Sequence, residues 1–600
     1  YSMGDNIADI NNDGLPDILT LDMLPADNYR QKLLFNPDDY IQHEQLVQNG
    51  YGQQFMSNAL QLNNGNGTFS EIAQLAGISN TDWSWAPLIA DFDNDGWKDI
   101  FITNGYARDL TNMDFLKFKS DYLFQHLIKH EAPDLYYLAQ QIPSTPVHNY
   151  MFKNNHNLTF TDVSKAWGFS TPDLSNGAAF ADLDNDGDLD LIVNNLNAPA
   201  SIYRNMTTEL LHRHFLKIKF DGARKNRFGL GAKVYVYANG DMQYYEQMPT
   251  QGFESSVSEV MNIGLGYAPK VDSLIVIWLG GKYQILKNIP VNQTITLKET
   301  DATLQYVYPT LPKPTIFTRI KSPIDYVHHE FPFDDFKRQP LIPSFLSTCG
   351  PVMAAADVNG DGLKDIYVGG SEGHAGQLFI QQKDGSFVPE DQDVFNQDAE
   401  STDAAAVFFD ANGDGHPDLY VASGGYENYL EKDPALQDRL YLNDGKGHFT
   451  KAVNALPPML TSKSCVKVAD FNGDGHPDLF VGGRVIPGKY PVAPRSYLLE
   501  NDGKGHFKDV TAKWAPMLEH IGMVTDAAWV DLNGDKKPDL IIVGEFMPIT
   551  ILINKGDHFE DETSKYFDKP YSGFWNTILA DDFNHDGHPD LVVGNYGTNS

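Results

Sequence analysis

Two cysteines in 600 residues leave nothing from which to build a disulfide framework, and Cys349 and Cys465 read as buried small hydrophobes. No apolar run is long enough to cross a bilayer as a helix, and no secretory leader opens the chain. Positive charge is scarce as well. Against 80 Asp and Glu there are 45 Lys and Arg, a formal net charge of −35, which argues against nucleic acid or an anionic membrane surface as partner. Signatures of catalysis are also missing. There is no Gly-x-Ser-x-Gly elbow, and the segment Gly229 to Gly231 lacks the strand, spacing and lysine of a phosphate loop. His328, His329 and Glu330 do not continue into a zinc-binding His-Glu-x-x-His and read as a hydrogen-bonded loop.

What is plentiful is core material and turns. Hydrophobic residues make up 42% and aromatics 12%, while 50 Gly and 34 Pro are spread along the chain, the composition of many short strands joined by tight turns. The length exceeds what one hydrophobic core usually organises, so at least two domains are expected.

The acid is not scattered. The pattern Asp-x-[Asp/Asn]-x-Asp-Gly-x-x-Asp recurs eight times. Loops 1 to 3 are Asp9, Asn11, Asp13, Asp17; Asp91, Asp93, Asp95, Asp99; and Asp182, Asp184, Asp186, Asp190. Loops 4 to 6 are Asp357, Asn359, Asp361, Asp365; Asp410, Asn412, Asp414, Asp418; and Asp470, Asn472, Asp474, Asp478. Loops 7 and 8 are Asp531, Asn533, Asp535, Asp539 and Asp582, Asn584, Asp586, Asp590. Three or four carboxylates in one turn repel one another by several kcal/mol at short range and intermediate dielectric, so such a loop asks for a cation. An all-oxygen donor set of Asp, Asn and backbone carbonyl suits calcium, and about eight calcium sites are expected. Glycine at the sixth position permits a left-handed turn in seven loops; Lys536 stands there in loop 7, where strain and weaker binding are expected. An EF-hand would need Glu at position twelve, which here is Thr20, Ile102, Val193 or Val368 among others, never Glu.

The loops are flanked by short buried-strand runs such as Asp418-Leu-Tyr-Val and Asp478-Leu-Phe-Val. Between loops lies a second signature, as in residues 440–452, 497–510 and 551–562: an apolar strand, a turn rich in Asn, Asp and Gly, then another strand. Each repeat thus supplies four strands, the content of a propeller blade.

These loop-plus-hairpin units resemble the FG-GAP or VCBS repeats of integrin α-chain propellers and their bacterial relatives, over residues 1–205 and 345–600. Residues 206–300, containing RFGLGAKVYVYANG, QGFESSVSEVMNIGLG and KVDSLIVIWLGGKYQILKNI, resemble the ASPIC/UnbV domain that accompanies such propellers in cartilage acidic protein. Where relatives often carry Trp-Pro-Asp-Gly, this chain has Trp278-Leu-Gly-Gly281, a change to a surface turn. The resemblance implies an all-β protein with two propellers, each of seven blades and here incomplete, since the chain starts inside a repeat at Tyr1 and the second propeller would need further blades after Ser600. A small β-rich domain would lie between them, followed by a linker over 301–344; one eight-bladed ring interrupted by that domain is the alternative.

In the integrin-type blade the calcium loop joins the first two strands, so the next connection opens on the opposite face. Two long insertions fall there, residues 22–58 and 105–150, both with helical periodicity and aromatic and basic residues. They are the expected ligand or partner surface, with capping of the channel or packing on a neighbouring domain as the bland alternative. Trp83 and Trp85 could stack on a sugar, although packing between blades is the simpler reading. The expected function is that of a non-enzymatic, extracellular or cell-surface binding or scaffold protein. Its partner would be a glycan, a peptide or an outer-membrane protein, and the resemblance to Bacteroidetes surface proteins suggests SusC/SusD-type uptake systems and a lipoprotein anchor. A polysaccharide lyase or other propeller enzyme acting on glycans is a second reading, and an integrin-like adhesin a third.

Overall fold

Each acidic loop is entered and left by a short run of β-branched and aromatic residues, and in the computed structural model every such run is a strand. The structure describes residues 2–34, 40–52, 55–223, 225–308, 317, 319–348, 350–390 and 392–596. It divides into two compact units, Tyr1–Ile316 and Phe317–Ser600.

In the first unit, sheet 1 is built from Asp5–Ala8, Asp17–Thr20, Ala59–Asn63 and Phe69–Glu71, and sheet 2 from Ser84–Ala90, Asp99–Asn104, Tyr150–Asn154 and Phe160–Asp162. Sheet 3 has three strands, Ser175–Ala181, Asp190–Asn195 and Ser201–Tyr203. The second unit continues with sheet 4 (starting at Met353–Ala356), sheet 5 (Thr402–Phe409), sheet 6 (Ser462–Ala469), sheet 7 (Met523–Val530) and the strand pair called sheet 8 (Ser572–Asp581 with Asp590–Asn595), whose start also pairs with Asp539–Pro548 of sheet 7. Sheets 1, 2 and 4 to 7 each contain a four-strand antiparallel run whose neighbours follow chain order. Within each unit the first strand of a sheet lies against the first strand of the next. That is the arrangement of propeller blades around an axis.

The period of two along each second strand explains how the blades pack. In Asp418–Gly424, Leu419 and Val421 pack with Tyr367 and Leu378 of sheet 4, while Tyr420 and Ala422 pack with Leu479 and Val481 of sheet 6. The same division recurs two blades on, in sheet 7, where Leu540 and Ile542 join the core shared with sheet 6 and Ile541 and Val543 the core shared with sheet 8. A strand apolar on both faces is therefore required, and each fully buried Leu, Ile or Val contributes about 1.5–3 kcal/mol by its removal from water.

The middle domain of the first unit has two sheets. In one, Phe215–Asp221 sits between Met261–Gly264 and Gln293–Lys298, pairing with the latter in parallel. The other runs Asp241–Glu246, Lys233–Ala238, Lys270–Ile277, Lys282–Pro290 and Leu304–Gln305. That last pair of residues bonds to Lys282 and Tyr283, so the pairing continues beyond residue 300, where the sequence reading ended the domain. The expected linker over 301–344 is corrected at its other end too. Arg338 donates to the carbonyls of Tyr426, Glu427 and Tyr429, and Asp335 accepts from the backbone of Ser347 at 2.9 Å, so this stretch is packed into the second unit.

Among the other sequence candidates, Cys465 is a buried free thiol, and Cys349 lies outside the described residues. Trp83 stacks on Tyr106 with ring centroids 4.1 Å apart, and Trp85 packs on Phe253 of the middle domain. His328 Nε2 lies 3.1 Å from Glu330 Oε1 without hydrogen-bond geometry, and the hydrogen bond Glu330 Oε1 does make is accepted from Gly350 N–H at 3.0 Å. Gly229 and Gly231 have φ of 63° and 76° and form a tight turn.

Both insertions connect the second to the third strand of their sheets, and in an antiparallel meander that connection leaves at the end opposite the first-to-second loop. Their described residues form four helices: α1 (Asn28–Leu34), α2 (Tyr40–Gln48), α3 (Met113–Lys129) and α4 (Leu135–Gln140). Asn112 caps α3 by accepting from Phe115 N–H at 3.0 Å, and Asp114 and Lys129 sit at the ends that suit the helix dipole. The two insertions are clasped by Arg30, whose guanidinium reaches Asp82 Oδ1 at 3.1 Å and Asp109 Oδ2 at 3.2 Å. All three side chains are nearly buried. Replacing Arg30 with Met leaves two buried carboxylates uncompensated; an expected loss of about 3–5 kcal/mol should appear as a lower unfolding midpoint and faster proteolysis within 105–150.

Candidate metal centres

The eight loops share one backbone scaffold. At the sixth position the N–H donates to the first aspartate in every loop, from Gly14 to Asp9 at 2.9 Å through Gly587 to Asp582 at 2.9 Å. At the seventh position the N–H donates to Oδ1 of the fifth-position aspartate, again in all eight. Lys536 obeys the same pattern with φ of 68°, the left-handed value expected of the glycine it replaces.

The ninth aspartate ties the loop to the sheet. Its Oδ1 accepts from the backbone N–H of an Asn or Gln at the end of the third strand, or two residues past it for Asn205: Asn63 to Asp17, Asn154 to Asp99, Asn205 to Asp190, Gln381 to Asp365, Asn443 to Asp418, Asn501 to Asp478 and Asn554 to Asp539, all at 2.8–3.0 Å. Its Oδ2 accepts from the loop's second residue, as Val358 to Asp365 at 2.9 Å and Ala411 to Asp418 at 2.9 Å. Burial pushes Asp17 and Asp418 up to about 6 and Asp478 to about 7, with the neighbouring aspartates of the same loop adding to the shift.

The loops then divide. In loops 4 to 8 position five is exposed, position one is half-buried and position three is half-buried or exposed, and among the described residues one cation touches them, Lys537 at 3.5 Å from Asp535. Those loops, and loop 1, present oxygen donors alone, a set that fits a hard divalent cation such as calcium. Two loops bring carboxylates closer still. Oxygens of Asp91, Asp93 and Asp99, and of Asp182, Asp184 and Asp190, lie within 4.8 Å of one another, as do those of Asp186, Asp188 and Glu209, and each cluster could hold a metal ion.

In loops 2 and 3, however, cations of the chain are already in place. Lys153 Nζ contacts Asp93 and lies 2.7 Å from Asp95 Oδ2, and Arg213 Nη1 forms an ion pair with Asp93 Oδ1 at 2.7 Å. Arg204 reaches Asp184 at 2.7 Å, Asp186 at 3.2 Å and Glu209 at 2.6 Å, and Lys217 pairs with Asp182. Burial pushes Asp91 and Asp99 well up, whereas at Asp95 burial is outweighed by Lys153 and Arg213 and the carboxyl is held below its usual range. Lys98, at the eighth position of loop 2, is buried over the Tyr245 ring at 4.4 Å. It shares a cavity of about 390 Å³ with Asp9 and Asp91. None of these five cations was singled out from the sequence.

The family model for the FG-GAP-like repeat matches residues 46–102, 131–193, 357–421, 422–481 and 531–593, and the model for ASPIC and UnbV matches 222–304. A human protein, phosphatidylinositol-glycan-specific phospholipase D, is 29% identical over 154 residues; the match covers 23% of this chain and 18% of that protein. Among solved structures, a chain of the crystal structure of BBS1N in complex with ARL6DN is similar with a TM-score of 0.23 at 10% identity, covering 69% of this chain and 87% of that one. The Dos1 propeller gives 0.21 at 11% identity, covering 39% and 64%. Likenesses of this size have no bearing on how the blades here are arranged.

Replacing Lys536 with Gly relieves the left-handed strain of loop 7 at some cost in unfolded-chain entropy. A net gain of about 0.5–1 kcal/mol is expected in urea unfolding, and no gain would show that the loop backbone is unstrained.

Proposed function

We infer what this chain does from what it is, a member of the FG-GAP-like repeat family with an ASPIC and UnbV domain between its two sets of repeats: a calcium-stabilised binding or scaffold protein that acts outside the cell or at its surface. The observation that carries this reading is the split between two ends of the same blades. One end presents the oxygen-rich loops. The other presents α3 and α4, on which Phe124, Leu127, Ile128, Leu135 and Tyr136 are 62–73% exposed. Exposed apolar side chains gathered along adjacent helices suit an apolar protein face better than a glycan, which is held by hydrogen bonds around a flat ring. A partner in the outer membrane, such as a SusC/SusD-type complex, is one surface of that kind.

In this reading calcium is structural. Asp, Asn and backbone carbonyl oxygens of the loops would hold it, and it would supply the positive charge that lets the carboxylates converge. Millimolar extracellular calcium fills even weak sites of this type, which accounts for the proposed location. Each filled site stabilises the fold by about 2.7 kcal/mol when calcium stands a hundredfold above its Kd. Thorough chelation should therefore lower the melting temperature, and returning calcium should restore it. A melting curve indifferent to chelator and to calcium would refute the structural role.

The recognition surface has its own test. Phe124→Asp with Leu127→Asp changes two exposed side chains, so the melting temperature should hold while binding to partners captured from cell envelopes by the parent chain is lost. Full retention of those partners would move the recognition surface elsewhere.

A further inference from the structure

Aligning the eight loops by their shared hydrogen bonds exposes a correlation inside one chain. Six loops have Asn at the third position: Asn11, Asn359, Asn412, Asn472, Asn533 and Asn584. Loops 2 and 3 alone have Asp, Asp93 and Asp184. The residue just before the third-strand Asn or Gln that donates to the ninth aspartate is Leu62, Ile380, Leu442, Glu500 or Ile553 in sheets 1, 4, 5, 6 and 7. In sheets 2 and 3 it is Lys153 and Arg204. Wherever the extra carboxylate appears, so does a cation at that one strand position, and in both cases its side chain reaches positions three and five of its own loop.

The middle domain supplies a second cation to each. Arg213, just before the strand Phe215–Asp221, pairs with Asp93 and lies 3.8 Å from Asp95, and Lys217 on that strand pairs with Asp182. Each loop thus receives two single positive charges, one from its own sheet and one from the middle domain, where the other loops are suited to one double charge. Asp93 and Asp182, which a bound ion would need, are committed to these side chains.

We propose that in loops 2 and 3 these pairs, Lys153 with Arg213 and Arg204 with Lys217, stand in place of the divalent ion and fasten the middle domain to sheets 2 and 3 without metal. This rests on the reading that the remaining six loops take calcium. It makes the docking of the middle domain insensitive to calcium while the second unit depends on it. The two pairs neutralise oxygens that would otherwise repel where positions one, three and nine converge.

The test is a count of bound calcium on the full chain by native mass spectrometry or equilibrium dialysis at millimolar calcium. The parent should bind at no more than six loops, and Asp93→Ala and Asp182→Ala should leave that number unchanged. The paired change Lys153→Met with Arg213→Met should add one ion per chain and make proteolytic release of the middle domain calcium-dependent. A parent count of eight, or the loss of one ion in either alanine variant, overturns the proposal, and each can be read whether or not the methionine variant folds. A parent count of zero would instead refute calcium binding by this chain altogether.

Discussion

The ninth aspartate is the constraint from which the rest of the blade end follows. It is a carboxylate in the fold's interior, with Asp17, Asp99, Asp365, Asp418, Asp478 and Asp539 fully buried. Its tolerance there comes from two backbone donors, one from the loop's second residue and one from the third strand. A buried charge is stable only when its oxygens are paired, so strand three, loop and strand two are locked in one register. The third-strand Asn extends the lock to the preceding blade. Asn443 Nδ2 donates to Val358 O at 2.8 Å, Asn501 to Ala411 O at 2.9 Å and Asn554 to Phe471 O at 2.7 Å.

Once that strut is set, the first and fifth aspartates fold the turn by accepting backbone N–H groups, and the loop becomes a concentration of negative charge that must be answered. The chain shows two different surroundings for the same turn. In the second unit the loops open to water, where an ion can enter and leave. In the first unit loop 2 lies beneath the middle domain: a Cβ added to Gly264 would sit 2.0 Å from Asp91 Oδ2, so glycine is required for that approach. A covered loop has little access for an ion, and the cations that answer it come from the chain. The same turn thereby stands open to water in one place and forms a domain contact in another.

Much of this was legible because the repeat writes itself in residue types. Eight Asp patterns, apolar runs on both sides and hairpins of Asn and Gly gave the blades, and helical periodicity pointed to helix in both insertions without fixing the number or bounds of the helices. The strained position was legible too, since Lys536 replaces a glycine. What could not be seen was anything depending on which repeats meet the middle domain. Arg213 and Lys217 sit in ordinary strand sequence, and only the fold carries them to Asp93 and Asp182. Lys153 and Arg204 were within reach of sequence, because the strand position before the third-strand Asn is apolar or acidic in the other blades for which it is described; aligning the hairpins together with the loops would have exposed them. Arg338 escaped for a different reason. Its partners are backbone carbonyls about ninety residues away, which leave no trace in side-chain pattern, so an element packed into the second unit read as linker.

The placement of the long insertions follows from strand count and needs no special device. In an antiparallel meander the connections alternate between ends, so the first-to-second loop and the third-to-fourth hairpin share one end, and the second-to-third connection takes the other. The end carrying the acidic loops is committed by the ninth-aspartate strut, since a long insertion there would pull apart donors and acceptors separated by about 3 Å. The opposite end has no such tie, and insertions can grow there at the small entropic cost of lengthening a surface loop. In sheets 1 and 2 they have grown into helices that contact one another, with Arg30 closing the clasp between Asp82 and Asp109. The result separates the two ends of these blades: one carries the acidic loops and the struts that fix them, and the other carries exposed apolar side chains such as Phe124 and Leu127.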